Sequence, residues 1–110
     1  RADDTMNLGG IKVSSRELEA VLDLHPAVYE AAAVAVQPGG EGADRLVVFA
    51  VLREPRDAAG LRTELQRLIA DHLNPLFRIQ DLVVVDALPR TASNKLMRRE
   101  LRASYLTEAR

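Results

Sequence analysis

The chain has 110 residues, of which 47% are hydrophobic and 28% charged, and its formal net charge is -1 at pH 7. This length and composition predict one domain with a single hydrophobic core, and the near-neutral charge argues against a general nucleic-acid binder. The apolar runs are far shorter than the about 20 residues that cross a bilayer, and the absence of cysteine excludes disulfides and fits a reducing compartment. We therefore expect a cytoplasmic domain with no membrane span.

A pair of glycines near the start of the chain predicts a β-hairpin. Gly9 and Gly10 stand between two short runs that contain apolar residues, Thr5 to Leu8 and Ile11 to Val13. A tight turn between two strands needs residues that adopt positive φ, which glycine does at no steric cost. We expect a small two-stranded ribbon to open the domain.

A helix is expected directly after this hairpin. Ser14, followed three residues later by Glu17, forms a capping-box pattern, and apolar residues continue at helical spacing. The predicted helix runs from about Ser15 to Leu24. His25-Pro26 ends it, because the residue before a proline is pushed out of the helical region.

The middle of the chain predicts two strands, a helix and a third strand. Ala27 to Val36 shows alternating apolar residues, and Leu46 to Leu52 is apolar at every position, as in a strand covered on both faces. Apolar residues at helical spacing predict an amphipathic helix from Ala59 to about Asn74. Leu82 to Val85 is the third predicted strand.

The last part of the chain predicts a loop and a closing helix. Three residues typical of turns stand close together: Thr91, Ser93 and Asn94. Because such side chains bond to their own backbone, Lys95 should stand exposed at a loop tip. We then expect a helix with an exposed basic face from Leu96 to Tyr105. The element order predicts an α+β fold, a small two-layer sandwich of about three strands with packed helices plus the N-terminal hairpin.

The two ends of the chain resemble motifs of one enzyme family. Residues Arg1 to Glu19, which read RADDTMNLGGIKVSSRELE, resemble the hinge motif that opens the C-terminal domain of adenylate-forming acyl-CoA synthetases. Pro89 to Leu101 resembles the motif that carries their catalytic lysine. Because the family's element order lies between the two motifs, the resemblance covers essentially residues 1–110, which we interpret as one domain cut from a longer enzyme.

This resemblance implies a two-step, AMP-forming ligase. A carboxylate attacks the α-phosphate of ATP to give an acyl-adenylate and pyrophosphate, and the thiol of coenzyme A then displaces AMP. In this family the C-terminal domain is a mobile lid that turns between two orientations, one for each step. The N-terminal domain is the lid's partner and holds most of the ATP, its Mg²⁺ and the acyl substrate, so we expect the 110-residue chain alone to be inactive.

The resemblance also implies roles for individual residues. Lys95 would be the adenylation lysine, and Asp3 would be the hinge. Contacts to the nucleotide are implied for Arg1 and Lys12. Gly9 and Gly10 would lie along the channel for the pantetheine arm of coenzyme A, where a side chain could block the passage.

The sequence departs from the family's pattern at two places. Asn94 stands where glycine usually precedes the lysine, but asparagine tolerates left-handed backbone better than most residues, so we expect the turn to persist. Met6-Asn7 replaces a more common apolar-lysine pair, which weakens any basic contact at that point. The stretch Asn94 to Arg99 resembles acyl-CoA synthetases more than peptide-synthetase adenylation domains, which favours coenzyme A as the acceptor.

Two other functions remain open. The chain could belong to an adenylation domain that loads a carrier protein. It could also be a non-catalytic interaction module with the same fold, which binds an acidic partner through its last helix. The residues concerned, whose roles the sequence leaves open, are Arg98, Arg99 and Arg102. The acid that is activated cannot be read, because its pocket would lie outside this segment.

The sequence does not favour metal binding by its two histidines. His25 and His72 each adjoin a predicted helix end, and neither has a cluster of partner ligands in the sequence. We therefore expect them to cap or pack and expect no metal site in this chain.

Overall fold

A computed structural model describes residues 5–37, 40 and 42–108. The predicted hinge and nucleotide residues Asp3 and Arg1 lie outside these residues. The elements follow the predicted order: β1 Thr5–Leu8, β2 Ile11–Ser14, α1 Ser15–Leu22, β3 Val28–Val36, β4 Arg45–Leu52, α2 Ala58–His72, β5 Ile79–Val84 and α3 Arg98–Glu108.

The strands form a hairpin and a separate three-stranded sheet. β1 pairs antiparallel with β2 through the predicted glycine turn, in which Gly9 has φ +61° and Gly10 has φ +87°. The sheet has the order β3-β4-β5, with β3 and β4 antiparallel and β4 and β5 parallel. β4 is therefore central, as its uninterrupted apolar sequence predicts, and residues 46–50 are all buried.

Alternate residues of the sheet enter two hydrophobic cores. The first core joins the hairpin, α1, α2 and one face of the sheet; its members include Leu8, Leu18, Val48 and Leu65. The second core joins the other face of the sheet to α3, and its members include Val34, Val47, Phe49, Leu88 and Leu101. The predicted α+β fold is confirmed, and the structure adds that helices pack on both faces of the sheet.

The first helix begins where the sequence predicts and ends earlier. The side chain of Ser14 accepts a hydrogen bond from the Glu17 amide while Glu17 caps the Ser14 amide, so the predicted capping box is present. The helix ends at Leu22, two residues before the predicted end. The amide of His25 then bonds to the carbonyl of Leu22 in a final turn ahead of Pro26.

Two later boundaries differ from the prediction because residues outside the predicted segment take part. β5 begins at Ile79 rather than Leu82, because Ile79 already pairs with Leu46 of β4; its amide also donates to the side chain of Gln66 on α2 at 2.7 Å. α3 begins at Arg98 rather than Leu96, because Leu96 is paired with Arg90 across the preceding loop. Among the helices of the described residues, none combines the length and apolar character needed to cross a bilayer.

The basic face of α3 is largely used inside the domain, which corrects the prediction that it is exposed. Arg98 makes a bidentate ion pair with Glu19 of α1 at 2.7 and 3.0 Å, and Arg102 donates to the carbonyl of Ala35 at 2.6 Å. The same carboxylate of Glu19 accepts the amide of Ala33 on β3. These contacts cover the outer edge of β3, which would otherwise offer unpaired backbone groups, and they leave Arg99 as the exposed arginine of the three.

Candidate active site

Residues 89–97, here called the lysine loop, form a small hairpin of their own. Arg90 pairs antiparallel with Leu96, and the amide of Met97 donates to the carbonyl of Pro89 at 2.9 Å. Leu88, just before the loop, and Leu96 pack in the second core. The base of the loop is therefore anchored in the hydrophobic interior.

The tip of the lysine loop is closed by its own backbone. The amide of Asn94 donates to the carbonyl of Thr91 at 2.8 Å, and the amide of Thr91 donates to the carbonyl of Lys95 at 2.9 Å. Asn94 has φ 68°, which is the left-handed conformation that the sequence predicts asparagine to tolerate in place of glycine. The turn that precedes Lys95 is therefore present.

Lys95 is exposed at this tip, as predicted. Its amide donates to Oγ1 of Thr91 at 3.1 Å, so its backbone is tied to the loop. Within the part of the chain that the structure describes, its ammonium group takes part in no hydrogen bond or ion pair. The loop therefore directs a cation outward, where a group from outside this domain can meet it.

Sequence reasoning missed two side chains that hold this loop, Arg90 within it and Glu30 on β3. Arg90 donates to the carbonyl of Asn94 at 3.3 Å and to the carboxylate of Glu30 on β3 at 2.7 Å. The contact between them could not be predicted from local sequence, because Glu30 lies 60 residues before Arg90. Only the folded sheet brings the two together.

The glycine hairpin, residues 5–14, places the other predicted site residues. A Cβ atom added to Gly9 would lie 3.4 Å from Cβ of Leu76, whereas a Cβ added to Gly10 would meet nothing within 4 Å. Gly10 therefore faces open space beside the domain. Lys12 is exposed on β2, opposite Asn7 in the pairing.

The lysine loop and the glycine hairpin are held at opposite ends of β3. The loop is tied to Glu30 near the start of β3. The hairpin is tied to Asp44, which accepts the amide of Asn7 at 2.8 Å and directly precedes the pairing of Arg45 with Val36. Six residues of extended chain separate Glu30 from Val36, a distance of about 20 Å. The hairpin also packs in the first core and the loop in the second, so the fold does not bring the two together.

The two histidines have ordinary structural surroundings. His25 is buried, its Nδ1 accepts the amide of Ala27 at 3.0 Å, and its Nε2 lies 2.6 Å from the carboxylate of Glu64. Hydrogen bonds from His25 and then from Arg56 hold the pKa of Glu64 below its usual value. His72 is exposed in the last turn of α2. No group of three or more metal-binding side chains occurs among residues 5–37, 40 and 42–108.

Comparison with known proteins supports one family. Residues 17–95 match the model described as AMP-binding enzyme C-terminal domain. The chain is 44% identical over 110 residues to hexanoyl-CoA synthase of Cannabis sativa, an alignment that covers 96% of this chain and 15% of that protein. The chain thus spans about 15% of the length of this curated relative.

Solved structures give the same picture at lower sequence identity. The acyl-CoA synthetase of Brucella canis has a TM-score of 0.85 at 28% identity and covers 100% of this chain, which corresponds to 20% of that one. The amide bond synthetase McbA of Marinactinospora thermotolerans has a TM-score of 0.80 at 27% identity over 96% of this chain and 21% of that one.

Proposed function

Because the chain belongs to the family of AMP-binding enzyme C-terminal domains, we propose that it is the mobile C-terminal domain of an ATP-dependent, AMP-forming acyl-CoA ligase. The complete enzyme would convert a carboxylate and ATP to an acyl-adenylate and pyrophosphate. Attack by the thiol of coenzyme A on the acyl carbonyl would then release AMP and leave a thioester. The N-terminal domain of the same enzyme would be the domain's partner.

Lys95 would act in the first step. Adenylation brings a carboxylate anion against a polyanionic triphosphate, and its oxygen attacks the α-phosphorus as pyrophosphate leaves. A cation placed between the two anions offsets their repulsion and stabilises the charge that grows in the transition state. The single observation that carries the proposal is the exposed Lys95 on an internally bonded loop, with no partner for its ammonium among the described residues.

The glycine hairpin would act in the second step. Gly10 has open space beside it, so a narrow thiol-bearing arm could pass there, next to Gly9. Lys12 and Arg1 would contact phosphate or ribose oxygens of the nucleotide. Mg²⁺ would be bound mainly by the rest of the enzyme.

The opposite placement of the two regions supports a rotating domain. About 20 Å of strand separates their points of attachment to the sheet, so a single orientation would not present both regions to the same reacting atoms. A turn of the whole domain would present each in its own step. Asp3 would absorb the backbone change between the two orientations.

Pyrophosphate release, measured with and without the N-terminal domain, tests this proposal. The chain alone should release no pyrophosphate from ATP and a carboxylate, whereas the complete enzyme, or the chain mixed with the N-terminal domain, should do so. Turnover by the chain alone would contradict the proposal. So would an enzyme whose pyrophosphate release is unaffected when residues 1–110 are deleted.

The acceptor needs a separate experiment, because one structural relative is an amide bond synthetase. Supplied acyl-adenylate is offered to the complete enzyme with coenzyme A, with a pantetheinylated carrier protein, or with a simple amine. We expect AMP release to depend on coenzyme A. Preference for the carrier protein or the amine would replace the thioester step with the corresponding transfer.

A non-catalytic interaction module has weaker support. It would depend on the basic side chains of α3, yet Arg98 and Arg102 are engaged with Glu19 and the Ala35 carbonyl. Salt-dependent binding of polyanions by a complete protein that releases no pyrophosphate would favour the module. The cytoplasmic location remains part of the proposal, and imaging of the tagged complete protein would test it.

A further inference from the structure

The peptide group that joins Asn94 to Lys95 is held on both of its polar sides. Its carbonyl oxygen, which belongs to Asn94, accepts Nη1 of Arg90 at 3.3 Å. Its N–H, which belongs to Lys95, donates to Oγ1 of Thr91 at 3.1 Å. The carbonyl of Lys95 in turn accepts the amide of Thr91 at 2.9 Å, so the peptides on both sides of the Lys95 Cα are held, and together they fix the direction in which the lysine side chain leaves the loop.

Arg90 connects this peptide to the sheet. One arm of its guanidinium reaches the Asn94 carbonyl, and the other donates to Glu30 of β3 at 2.7 Å. A guanidinium is a planar fork and can hold two acceptors in a fixed relation, which a lysine ammonium does less well. Arg90 thereby fixes the position of the loop tip relative to β3, in addition to the contacts at the base of the loop.

This arrangement has little to do with global stability. The side chains of Arg90 and Glu30 are 34% and 28% exposed, and ion pairs at that exposure add little to folding free energy. The base of the loop is already held by Leu88 and Leu96 in the second core. What the pair changes is the geometry at the tip.

We propose that Arg90 and Thr91 are positioning residues for Lys95, with Glu30 acting through Arg90. This inference rests on the proposed adenylation role of Lys95. A catalytic cation must sit close to the reacting atoms, and a misplacement of about 1 Å can cost about 10²-fold in rate. Loss of either contact to the peptide lets its plane rotate and moves the ammonium away from its productive place.

The complete enzyme carrying single substitutions tests the inference. Arg90→Gln removes the fork, Thr91→Val removes the hydroxyl acceptor, and Thr91→Ser retains it. Two matched controls lie on the other face of the sheet, Arg56 just before α2 and Thr63 within it. Arg56→Gln breaks an exposed arginine–glutamate pair of 2.8 Å with Glu64, and Thr63→Val removes a threonine hydroxyl that donates to the carbonyl of Ala59.

Two reactions are to be measured. Pyrophosphate release gives kcat and KM for the carboxylate, and supplied acyl-adenylate gives the rate of thioester formation. Arg90→Gln and Thr91→Val should each lower the kcat of adenylation about tenfold, with KM for the carboxylate and the thioester rate within about twofold of wild type. Thr91→Ser, which keeps the hydroxyl acceptor, should have the adenylation kcat of wild type. Both controls should behave as wild type. Glu30→Gln combined with Arg90→Gln should lower kcat no further than Arg90→Gln alone, because Glu30 acts through Arg90.

Three results would overturn the inference: unchanged adenylation in Arg90→Gln and Thr91→Val, an equal fall in both half-reactions, or an equal fall in the Arg56→Gln and Thr63→Val controls. Lys95→Ala, measured in parallel, separates this inference from the proposed function. If Lys95→Ala spares adenylation, the proposed function fails. If Lys95→Ala abolishes adenylation while the variants of Arg90 and Thr91 do not, only the positioning inference fails.

Discussion

The lysine loop and the glycine hairpin differ in how their residues shape the surface of the domain. The loop places a charge, and it does so with side chains of Thr91 and Arg90 that bond to backbone groups next to Lys95. The hairpin leaves space, and it does so with Gly9 and Gly10, which have positive φ and no side chain. In the proposed roles, a positioned cation needs many contacts, whereas a passage for the pantetheine arm needs the absence of atoms.

The two regions also differ in what carries them. The hairpin packs on α1 and α2 through the first core, and the lysine loop packs beside α3 through the second. The sheet between them is shared. A substitution in one region should therefore change one half-reaction, while a substitution in the sheet or its edge contacts should change stability without favouring either.

The largest expected effect is at Lys95. In the complete enzyme, Lys95→Ala should lower adenylation by about 10²–10³-fold, the usual loss when one preorganised stabilising group is removed. Thioester formation from supplied acyl-adenylate should be spared. Lys95→Gln, which fills the space without the charge, should behave like the alanine variant in the pyrophosphate assay. Full activity of Lys95→Gln would show that charge is not what the loop supplies.

The next effect in size is at Gly10. Gly10→Ala should lower thioester formation about tenfold and spare pyrophosphate release, because a methyl group would enter the space beside the hairpin and alanine at positive φ strains the turn by about 1 kcal/mol. Gly40→Ala is the matched control, since Gly40 has φ +81° against +87° at Gly10 and also has open space around it. A similar loss of thioester formation in both variants would assign the effect to strain alone.

The edge contacts of β3 should affect stability more than chemistry. Glu19→Ala removes the partner of Arg98 and the acceptor for the Ala33 amide, with side chains only 15% and 14% exposed for Glu19 and Arg98. We expect the free energy of unfolding to fall by about 2 kcal/mol, as for hydrogen bonds to charged groups. Urea denaturation measures it, with Glu17→Ala on the same helix as a comparison that removes one capping contact and should cost less.

In both variants of α1 the two half-reactions should change together. A selective loss of adenylation in Glu19→Ala would mean that the edge of β3 takes part in placing the lysine loop, and the division between the two regions would then have to be redrawn.

The smallest expected effect is the acid dependence of stability at Glu64, which belongs to neither region. Hydrogen bonds from His25 and Arg56 lower the pKa of Glu64 in the folded chain below the ordinary value of 4.5. The unfolded chain therefore takes up the proton first, and this contribution is present above pH 4.5 and is lost as the pH falls through the lowered folded pKa. Thermal unfolding of wild type and Glu64→Gln from pH 7 to 3 should show a smaller acid loss in the variant. Parallel curves would remove Glu64 as a contributor.

Local features were predictable wherever residues within a few positions of one another decide the backbone. The capping box of Ser14 and Glu17, the positive φ of Gly9 and Gly10, and the left-handed Asn94 all follow this rule. Each is a matter of sterics or of a hydrogen bond that closes inside one turn. The exposed tip at Lys95 follows from the same local chemistry.

Two of the missed boundaries depend on pairing partners that lie outside the predicted segment. Leu96 fits the helical pattern, but its pairing with Arg90 delays α3, and the pairing of Ile79 with Leu46 of β4 extends the start of β5. The basic face of α3 was expected to be exposed because arginine on a final helix usually is. Nothing in the local pattern indicates that Glu19, 79 residues earlier, meets Arg98.

The amino-acid sequence by itself determined the order of the elements, the shape of the two turns and the family resemblance carried by their residues, because these depend on φ preferences and on bonds that span four residues or fewer. Only the tertiary structure decided that the loop and the hairpin lie at opposite ends of β3 and on different cores, and that Glu30 braces Arg90. Such placements follow from which strand edges and helix faces meet on packing, a choice made by burial of the whole sheet and not by any single segment.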